Sequence, residues 1–525
     1  VSYNSYFIDD EKTCVVDSVD AEIREEYFDN LTHLLNGRDL DYIIVNHMEP
    51  DHCQTLLETL ERYPNCKMVG NATTFRMFEQ FYNSPKPDQY YTVKEGDEIC
   101  LGKHTLVSYT MPMVHWPEVT CTYEKSTGTL FSADAFGTFG TVNGNIFADQ
   151  TDYVATYEEE ARRYYTNIVG KYGPQVQNAI RKVSGLDIKR IAPLHGPIWR
   201  TPETIQYILH KYLHWSSYTA EKKGVVIAFG SMYGNTRAIA QQLAKQLSKR
   251  GVTDIKIYDV SKTNASYIIA DAWKYTNLVT IAPTYNLNLY LTMENFIHEL
   301  KALNFQNHKV SIIGNHSWAS AAMKTMVAHF ENDFKDIEIV SEPLDIKSSL
   351  KEEDLPKIEK MADDIKASIE AAEIKNTFTL AGDSGLTGNS NWDAKDTRNV
   401  LLQDVSNKNK FSITFQNVAK GKYSYKILQD PENFGWDKPW GYGEGSDGNR
   451  SVTVDAPSDV TFTIDLTDTS EGKTVEVNQK KLKKIVVDNG SISKGQTKEL
   501  NTSAKYYNGE SAEAETVTVS YQLKA

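Results

Sequence analysis

Asn46-His47-Met48-Glu49-Pro50-Asp51-His52 follows directly on the apolar run Tyr42–Val45. His47, Glu49, Asp51 and His52 stand so close in sequence that they converge only on a loop or at a helix start. Charged groups packed this densely repel one another unless a cation offsets them. Further along come His115 (in Val114-His115-Trp116-Pro117-Glu118), Asp134 (in Ser132-Ala133-Asp134-Ala135) and His195 (in Pro193-Leu194-His195-Gly196). Each again follows a β-like run, as expected where a rigid sheet holds functional loops. Taken singly, such residues are ordinarily turn formers or satisfied polar groups; together they make a metal-site pattern. A mixed imidazole and carboxylate set suits iron, manganese or zinc, and it lacks the thiolates of a structural zinc site. The set is too large for one ion that keeps an open position. Two ions about 3.5–4 Å apart, bridged by a carboxylate, use all of it, and Asp134 is the expected bridge.

A second motif, Gly230-Ser231-Met232-Tyr233-Gly234-Asn235-Thr236, lies between a predicted strand, Val225–Phe229, and a helix. Glycine and small hydroxyl residues let backbone N–H groups wrap a phosphate, whose charge the helix N-terminus favours. The absence of G-x-x-x-x-G-K and of G-x-G-x-x-G argues against a nucleoside triphosphatase and a dinucleotide site. A monophosphate such as that of FMN fits. Two further loops follow predicted strands: Pro283-Thr284-Tyr285-Asn286 after Leu278–Ala282, and Gly314-Asn315-His316-Ser317-Trp318 after Lys309–Ile313. Three loops at the carboxyl ends of parallel strands form the usual crevice of an open α/β sheet. Tyr285 and Trp318 are expected to flank a flavin ring. His316 either tunes the flavin or is a surface residue.

The surroundings suit a multidomain chain of 525 residues. Residues 1–222 mix short strands (Tyr42–Val45, Thr105–Tyr109, Thr129–Phe131) with a helix around Tyr157–Tyr172. Residues 223–373 alternate strand and helix, which predicts a doubly wound parallel sheet. Residues 376–478 have an all-β, turn-rich composition, and 479–525 read as part of another small β domain. A formal net charge of −14 excludes a dedicated nucleic-acid binder. No apolar run is long enough to span a bilayer. The five cysteines contain no C-x-x-C pair, which excludes a rubredoxin-type iron centre here and suits free thiols in a reducing compartment.

H-x-E-x-D-H, the later histidine, the aspartate and the final histidine resemble the flavodiiron family. Zinc hydrolases of the same superfamily read H-x-H-x-D-H, so Glu49 stands where they carry histidine; the added carboxylate favours ferric iron. The resemblance covers residues 1–373 and implies a metallo-β-lactamase-like αββα sandwich followed by a flavodoxin-like domain. It implies His47, Glu49 and His115 on one iron, Asp51 and His195 on the other, Asp134 as bridge, and His52 as a ligand in only some members. It further implies FMN, reduction of O2 to water or NO to N2O, a head-to-tail homodimer, and a separate electron donor such as rubredoxin or a reductase. The opening Val1-Ser2-Tyr3-Asn4-Ser5-Tyr6 resembles a segment inside the family's usual start, so the first strands of the metal domain are expected to be missing. The rival readings are a zinc hydrolase and a carbohydrate-binding protein with inactive N-terminal domains.

Beyond residue 375, Gly382, Trp392-Asp393, Gly421-Lys422-Tyr423-Ser424-Tyr425 and Trp436 resemble the β-sandwich modules of pullulanase-type enzymes. Lys483–Val487 through Tyr506 resembles a bacterial immunoglobulin-like domain. Trp392, Trp436, Trp440 or Tyr442 is a candidate for stacking on an α-glucan. Such modules ordinarily work outside the cell, which conflicts with a cytoplasmic enzyme.

Overall fold

The computed structural model describes residues 1–372, 374, 377–388, 391–404, 407, 409–443, 448–470, 472–487 and 502–506. It divides into two compact units, Val1–Lys375 and Asn376–Ala525.

The first unit opens with two five-stranded sheets. One has the order β1 (Tyr6–Ile8), β2 (Cys14–Val16), β3 (Tyr42–Ile44), β4 (Lys67–Gly70), β5 (Tyr90–Thr92). The other contains β6 (Glu98–Cys100), β7 (Thr105–Thr110), β8 (Thr120–Glu124), β9 (Thr129–Phe131) and β10 (Arg190–Ala192), with β10 beside β9. Successive strand residues face opposite ways. Val16, Ile44 and Val69 therefore pack between the sheets against Leu106, Phe131 and Ala192. Val15, Ile43 and Met68 face outward, against helices α1 (Arg24–Leu35), α3 (Leu56–Arg62) and α4 (Ala72–Tyr82), with the short α2 (Pro50–Cys53) between α1 and α3. Helix α5 (Tyr153–Tyr164) precedes α6 (Gly173–Val183) and α7 (Pro202–Trp215), and the last two cover Cys121 and Leu130 of the second sheet. Each buried Val, Ile or Leu stabilises this four-layer sandwich by about 1.5–3 kcal/mol.

The expected helix around Tyr157–Tyr172 starts earlier, at Tyr153, because Asp152 accepts the Ala155 N–H at 3.2 Å. It ends as a regular helix at Tyr164 and continues as a π-turn, Tyr165–Val169, and a 3₁₀ turn, Gly170–Tyr172. The wider turn lets two adjacent tyrosines, Tyr164 and Tyr165, both be buried.

The next strands are β11 (Lys222–Phe229), β12 (Ile255–Asp259), β13 (Tyr275–Tyr285), β14 (Asn288–Leu289), β15 (Lys309–His316), β16 (Glu338–Ile339) and β17 (Leu344–Lys347). The main sheet is parallel in the order β12-β11-β13-β15-β16, with β17 also beside β15. Helices α8 (Asn235–Lys249) and α12 (Leu355–Ala371) cover one face; α9 (Ala265–Lys274), α10 (Leu291–Ala302) and α11 (Ala322–Asn332) cover the other. Strand order reverses at β11, so the crevice between β11 and β13 is the ligand position of a doubly wound sheet. Two strands run past their expected ends. β13 continues to Tyr285 because Thr284 and Tyr285 pair with Leu289 and Asn288. β15 continues to His316 because Gly314, Asn315 and His316 pair with Asp345, Ile346 and Lys347.

The second unit holds β18 (Phe378–Gly382), β19 (Leu402–Gln403), β20 (Lys410–Val418), β21 (Gly421–Gln429), β22 (Arg450–Val454), β23 (Ser458–Asp465) and β24 (Glu476–Lys481). They form sheets β18-β21-β22 and β19-β20-β23-β24, and β25 (Lys483–Val487) pairs with β26 (Thr502–Tyr506). Alternate residues Phe411, Ile413 and Phe415 meet Val460, Phe462 and Ile464 in the core. Trp440, expected as a sugar platform, belongs instead to this core at 4% exposure and offers no open ring face; its indole N–H donates to the Thr474 carbonyl at 3.4 Å. Trp392 is part-buried and donates to Asp383, whereas Trp436 and Tyr442 are exposed. Of the expected Ig-like piece, 479–525, residues 488–501 and 507–525 lie outside the described residues.

Candidate metal centre and flavin crevice

Every candidate metal residue lies just beyond a strand of one of the two sheets. The segment after β3 delivers His47 and Glu49, and helix α2 carries Asp51 and His52. His115 lies between β7 and β8. Parallel pairing of β9 and β10 opposes Phe131 to Ala192, so Asp134 and His195 stand at equal offsets past adjoining strands. Bonds from Ser132 N to Ala192 O (3.2 Å) and Leu194 N to Ala133 O (2.9 Å) extend that alignment toward the site. Ala133 takes the left-handed region at φ 53°, turning the chain just before Asp134.

The side chains converge as two adjoining groups: His47, Glu49, His115 and Asp134, and Asp51, His52 and His195. In the first, His115 Nε2 lies 3.0 Å from Glu49 Oε2 and 3.4 Å from His47 Nε2. In the second, His195 Nε2 lies 3.1 Å from His52 Nε2 and 3.3 Å from Asp51 Oδ2. Asp134 touches both. Its Oδ2 is 3.1 Å from His115 Nε2, and its Oδ1 is 3.1 Å from His52 Nε2. This is the geometry of a bridging carboxylate. His52, which the family resemblance left open, points its Nε2 into the second group.

Three carboxylates and four imidazoles in a buried pocket demand positive charge. Burial pushes Glu49 upward, yet hydrogen bonds from His115 and His47 hold its carboxyl down at about 2. Asp134 is likewise raised by burial but held well below the usual carboxylate range by His47, His115 and His52. Burial pulls His47 down, and the Asp134 charge and the Glu118 hydrogen bond outweigh it, raising it well above the usual histidine value. His115 and His195 are raised for the same reason by Asp134 with Glu49 or Asp51. Buried Asp51 Oδ1 and His52 Nδ1 have no hydrogen-bond partner. The donor set, its charge and the orphaned Asp51 oxygen fit two cations, whose binding displaces the protons.

Supporting residues went unassigned in the sequence reading. Glu118, fully buried, accepts from His47 Nδ1 at 2.8 Å and from Met48 N at 2.9 Å, fixing the imidazole with Nε2 toward the site. Its signal was its place three residues after His115. Asp17 accepts from Asn46 N and His47 N, and the Ser2 carbonyl takes the His195 Nδ1 proton at 2.7 Å. No local motif marks these two. Replacing Glu118 by glutamine is expected to weaken iron retention about 10–100-fold while flavin content stays unchanged. Competition against a graded series of iron chelators measures it; equal retention would mean that Glu118 only packs.

In the second domain, Thr236 Oγ1 donates to the Gly230 carbonyl at 2.5 Å, folding the Gly230–Thr236 loop over the start of α8. Gly234 caps that helix at φ 94°. The first N–H groups of a helix have no partner within it and face outward for an anion. A Cβ on Gly230 would come within 2.5 Å of the Tyr290 ring. Exposed Tyr233 and Trp318, with Tyr285 partly exposed, gather their loops at the carboxyl ends of β11, β13 and β15. Such exposed aromatic faces beside a phosphate loop fit a planar flavin ring and its monophosphate. Some expected flavin residues also have partners within the fold. Thr284 Oγ1 accepts from Ala321 N and Ala322 N, and Asn315 Nδ2 donates to the Ile346 and Ser348 carbonyls. Gly314 lets α11 approach, since a Cβ would meet the Met323 nitrogen at 2.7 Å. His316 is held by Asp345 at 2.9 Å.

A dinuclear-type donor set in a β-lactamase-like sandwich, joined to a flavodoxin-like sheet, defines a class of two-domain flavin and metal proteins. Comparison with known proteins agrees: residues 1–196 match the profile of the ODP family beta lactamase and residues 227–361 that of flavodoxin. An uncharacterised protein of Methanocaldococcus jannaschii is 32% identical over 359 residues, covering 68% of this chain and 88% of the relative. An anaerobic nitric oxide reductase flavorubredoxin of Klebsiella pneumoniae is 29% identical over 340 residues, covering 63% and 68%. The rubredoxin oxygen:oxidoreductase of Desulfovibrio gigas superposes with a TM-score of 0.67 at 26% identity, covering 70% of this chain and 91% of that one. The chain belongs to the flavodiiron proteins, which are flavin- and iron-dependent oxidoreductases.

Proposed function

We propose that this chain reduces a diatomic oxidant, O2 to water or NO to N2O, at an iron pair held by His47, Glu49, Asp51, His52, His115, Asp134 and His195. The observation that carries the reading is Asp134, with one oxygen turned to each ligand group. When bound, FMN and the irons supply the electrons. The chain supplies the rest. Glu49 in place of a hydrolase histidine gives the first group an anionic oxygen that favours iron over zinc. Glu118 fixes His47, and the Ser2 carbonyl fixes His195. Tyr164, fully buried, packs its ring 5.5 Å from that of His195. Burial first, then the Asp134 charge, raise its hydroxyl well above the ordinary value, so it stays protonated beside the site. Ser231–Thr236 take the FMN phosphate, and Tyr285 and Trp318 flank the ring. The similarity to a nitric oxide reductase flavorubredoxin and to a rubredoxin oxygen:oxidoreductase supports both NO and O2. A separate rubredoxin-like protein or reductase as donor, a head-to-tail dimer and a cytoplasmic setting belong to the same proposal. All five cysteines are free, and no described helix is long and apolar enough to cross a membrane.

The test is metal and flavin analysis of chain supplied with iron and FMN, followed by turnover with each gas. About two irons and one FMN per chain are expected. A colourless, zinc-loaded product without turnover would favour the hydrolase reading instead.

The domain boundaries 1–222, 223–373, 376–478 and 479–525 are part of the proposal. A chain ending at Lys375 is expected to keep iron, FMN and turnover within about twofold, as for independently folding units. Loss of flavin in that chain would mean that the parts share a core. Any α-glucan affinity of the separate 376–525 piece is assigned to Trp436 and Tyr442 and expected to be weak, because ring stacking is worth only about 0.5–1.5 kcal/mol.

A further inference from the structure

We propose that Glu294, His298 and His329 form a second metal site, in the flavodoxin-like domain and separate from the iron centre, for one borderline divalent transition ion of the zinc type. Glu294 and His298 lie one turn apart on α10, a spacing that puts both on one helix face. His329 comes from the last turns of α11. Glu294 Oε1 is 2.9 Å from His329 Nε2 and 3.2 Å from His298 Nε2, and the ligand atoms of all three lie within 4.8 Å of one another.

Two further observations separate this trio from a chance ion pair. First, Asp333 Oδ2 takes the Nδ1 proton of His329 at 2.8 Å, and Lys301 holds Asp333 at 2.9 Å. A carboxylate on the far nitrogen is the usual way a metal-binding imidazole is oriented, with Nε2 left as the free donor. Second, Glu294 Oε2 is buried and has no hydrogen-bond partner, so the carboxylate keeps an unused oxygen on its sheltered side. Two imidazoles and one carboxylate suit zinc, copper or nickel, and are too nitrogen-rich for magnesium or calcium. Three protein ligands leave a position open, and His298 is 60% exposed, so the ion is exchangeable. Its place would join α10 to α11, two of the helices that cover one face of the flavodoxin-like sheet.

Iron- and FMN-loaded full-length chain is titrated with zinc chloride by calorimetry, with iron content followed in parallel. Wild type is expected to take up one zinc without losing iron. His298→Ala, at an exposed position that does not threaten folding, is expected to abolish that uptake. Asp333→Asn is expected to weaken it about 10–100-fold. Identical titrations for wild type and His298→Ala, or no uptake by wild type below about 100 µM zinc, would overturn the proposal. The three side chains would then be a hydrogen-bonded cluster that holds no ion.

Discussion

Replacing Asp134 by alanine is expected to give a folded, FMN-bearing protein that retains no iron pair and shows no turnover with either gas. The side chain is 1% exposed and meets both halves of the centre, Oδ2 toward His47 and His115 and Oδ1 toward His52. Its charge is shared by two cations, so its loss weakens both sites together. No neighbour can substitute: Ser132 is engaged with the Ala135 carbonyl at 2.8 Å, and Ala133 and Ala135 carry no donor. The flavin loops lie on another sheet and are untouched. Iron by elemental analysis, with FMN absorbance as the internal standard, decides the matter. Retention of both irons would move the bridging role to another carboxylate.

Arg162→Met is expected to cost about 3–5 kcal/mol of unfolding free energy, the ordinary penalty for removing one partner of a buried ion cluster. Arg162 is fully buried, bonds to Glu158 at 2.8 Å and Glu159 at 2.6 Å, and pairs with Glu221. Lys211 closes the network at 2.9 Å from Glu221 and 3.1 Å from Glu158. Glu221 immediately precedes β11, so this cluster joins helices α5 and α7 to the start of the flavodoxin sheet. Burial raises both glutamates, but Arg162 and Lys211 hold Glu221 well below, and Glu158 below, the ordinary value of 4.5. A depressed carboxyl stabilises the fold above its unfolded value and loses that contribution as pH falls through its folded one. The cluster is therefore fully effective at neutral pH, begins to weaken below about 4.5 and is lost as pH falls on through the depressed folded values. Denaturant midpoints of wild type and variant at pH 7 and pH 4 measure both effects. A loss under about 1 kcal/mol at pH 7 would mean that water reaches the orphaned carboxylates.

The metal centre was readable because its chemistry is local: four of its residues fall within one short segment, and acid and imidazole side chains at that density have few other uses. The Gly230–Thr236 loop stands out in the sequence for the same reason, its glycines and small hydroxyl residues being contiguous. The residues that aim the ligands mostly do not. Asp17, Tyr164 and the Ser2 carbonyl reach the site through the tertiary fold, and nothing in their own neighbourhoods sets them apart; Glu118 alone had a local signal, its place three residues after His115. Strand ends were misjudged where partners lie elsewhere in the chain. Tyr285 reads as a loop residue until Asn288 pairs with it, and His316 until Lys347 does. Trp440 shows the opposite failure, since a tryptophan beside glycine reads as a surface platform and is instead core.

The alignment of Phe131 with Ala192 also bears on how errors in folding are detected. A slip of one residue between those strands would move His195 by about 3.3 Å relative to Asp134, whereas metal–ligand distances tolerate only about 0.2 Å. A chain paired out of step thus holds no second cation, however native its outline. Loading would then work as an inspection of the sheet, with the ions kept only by molecules whose strands paired in step.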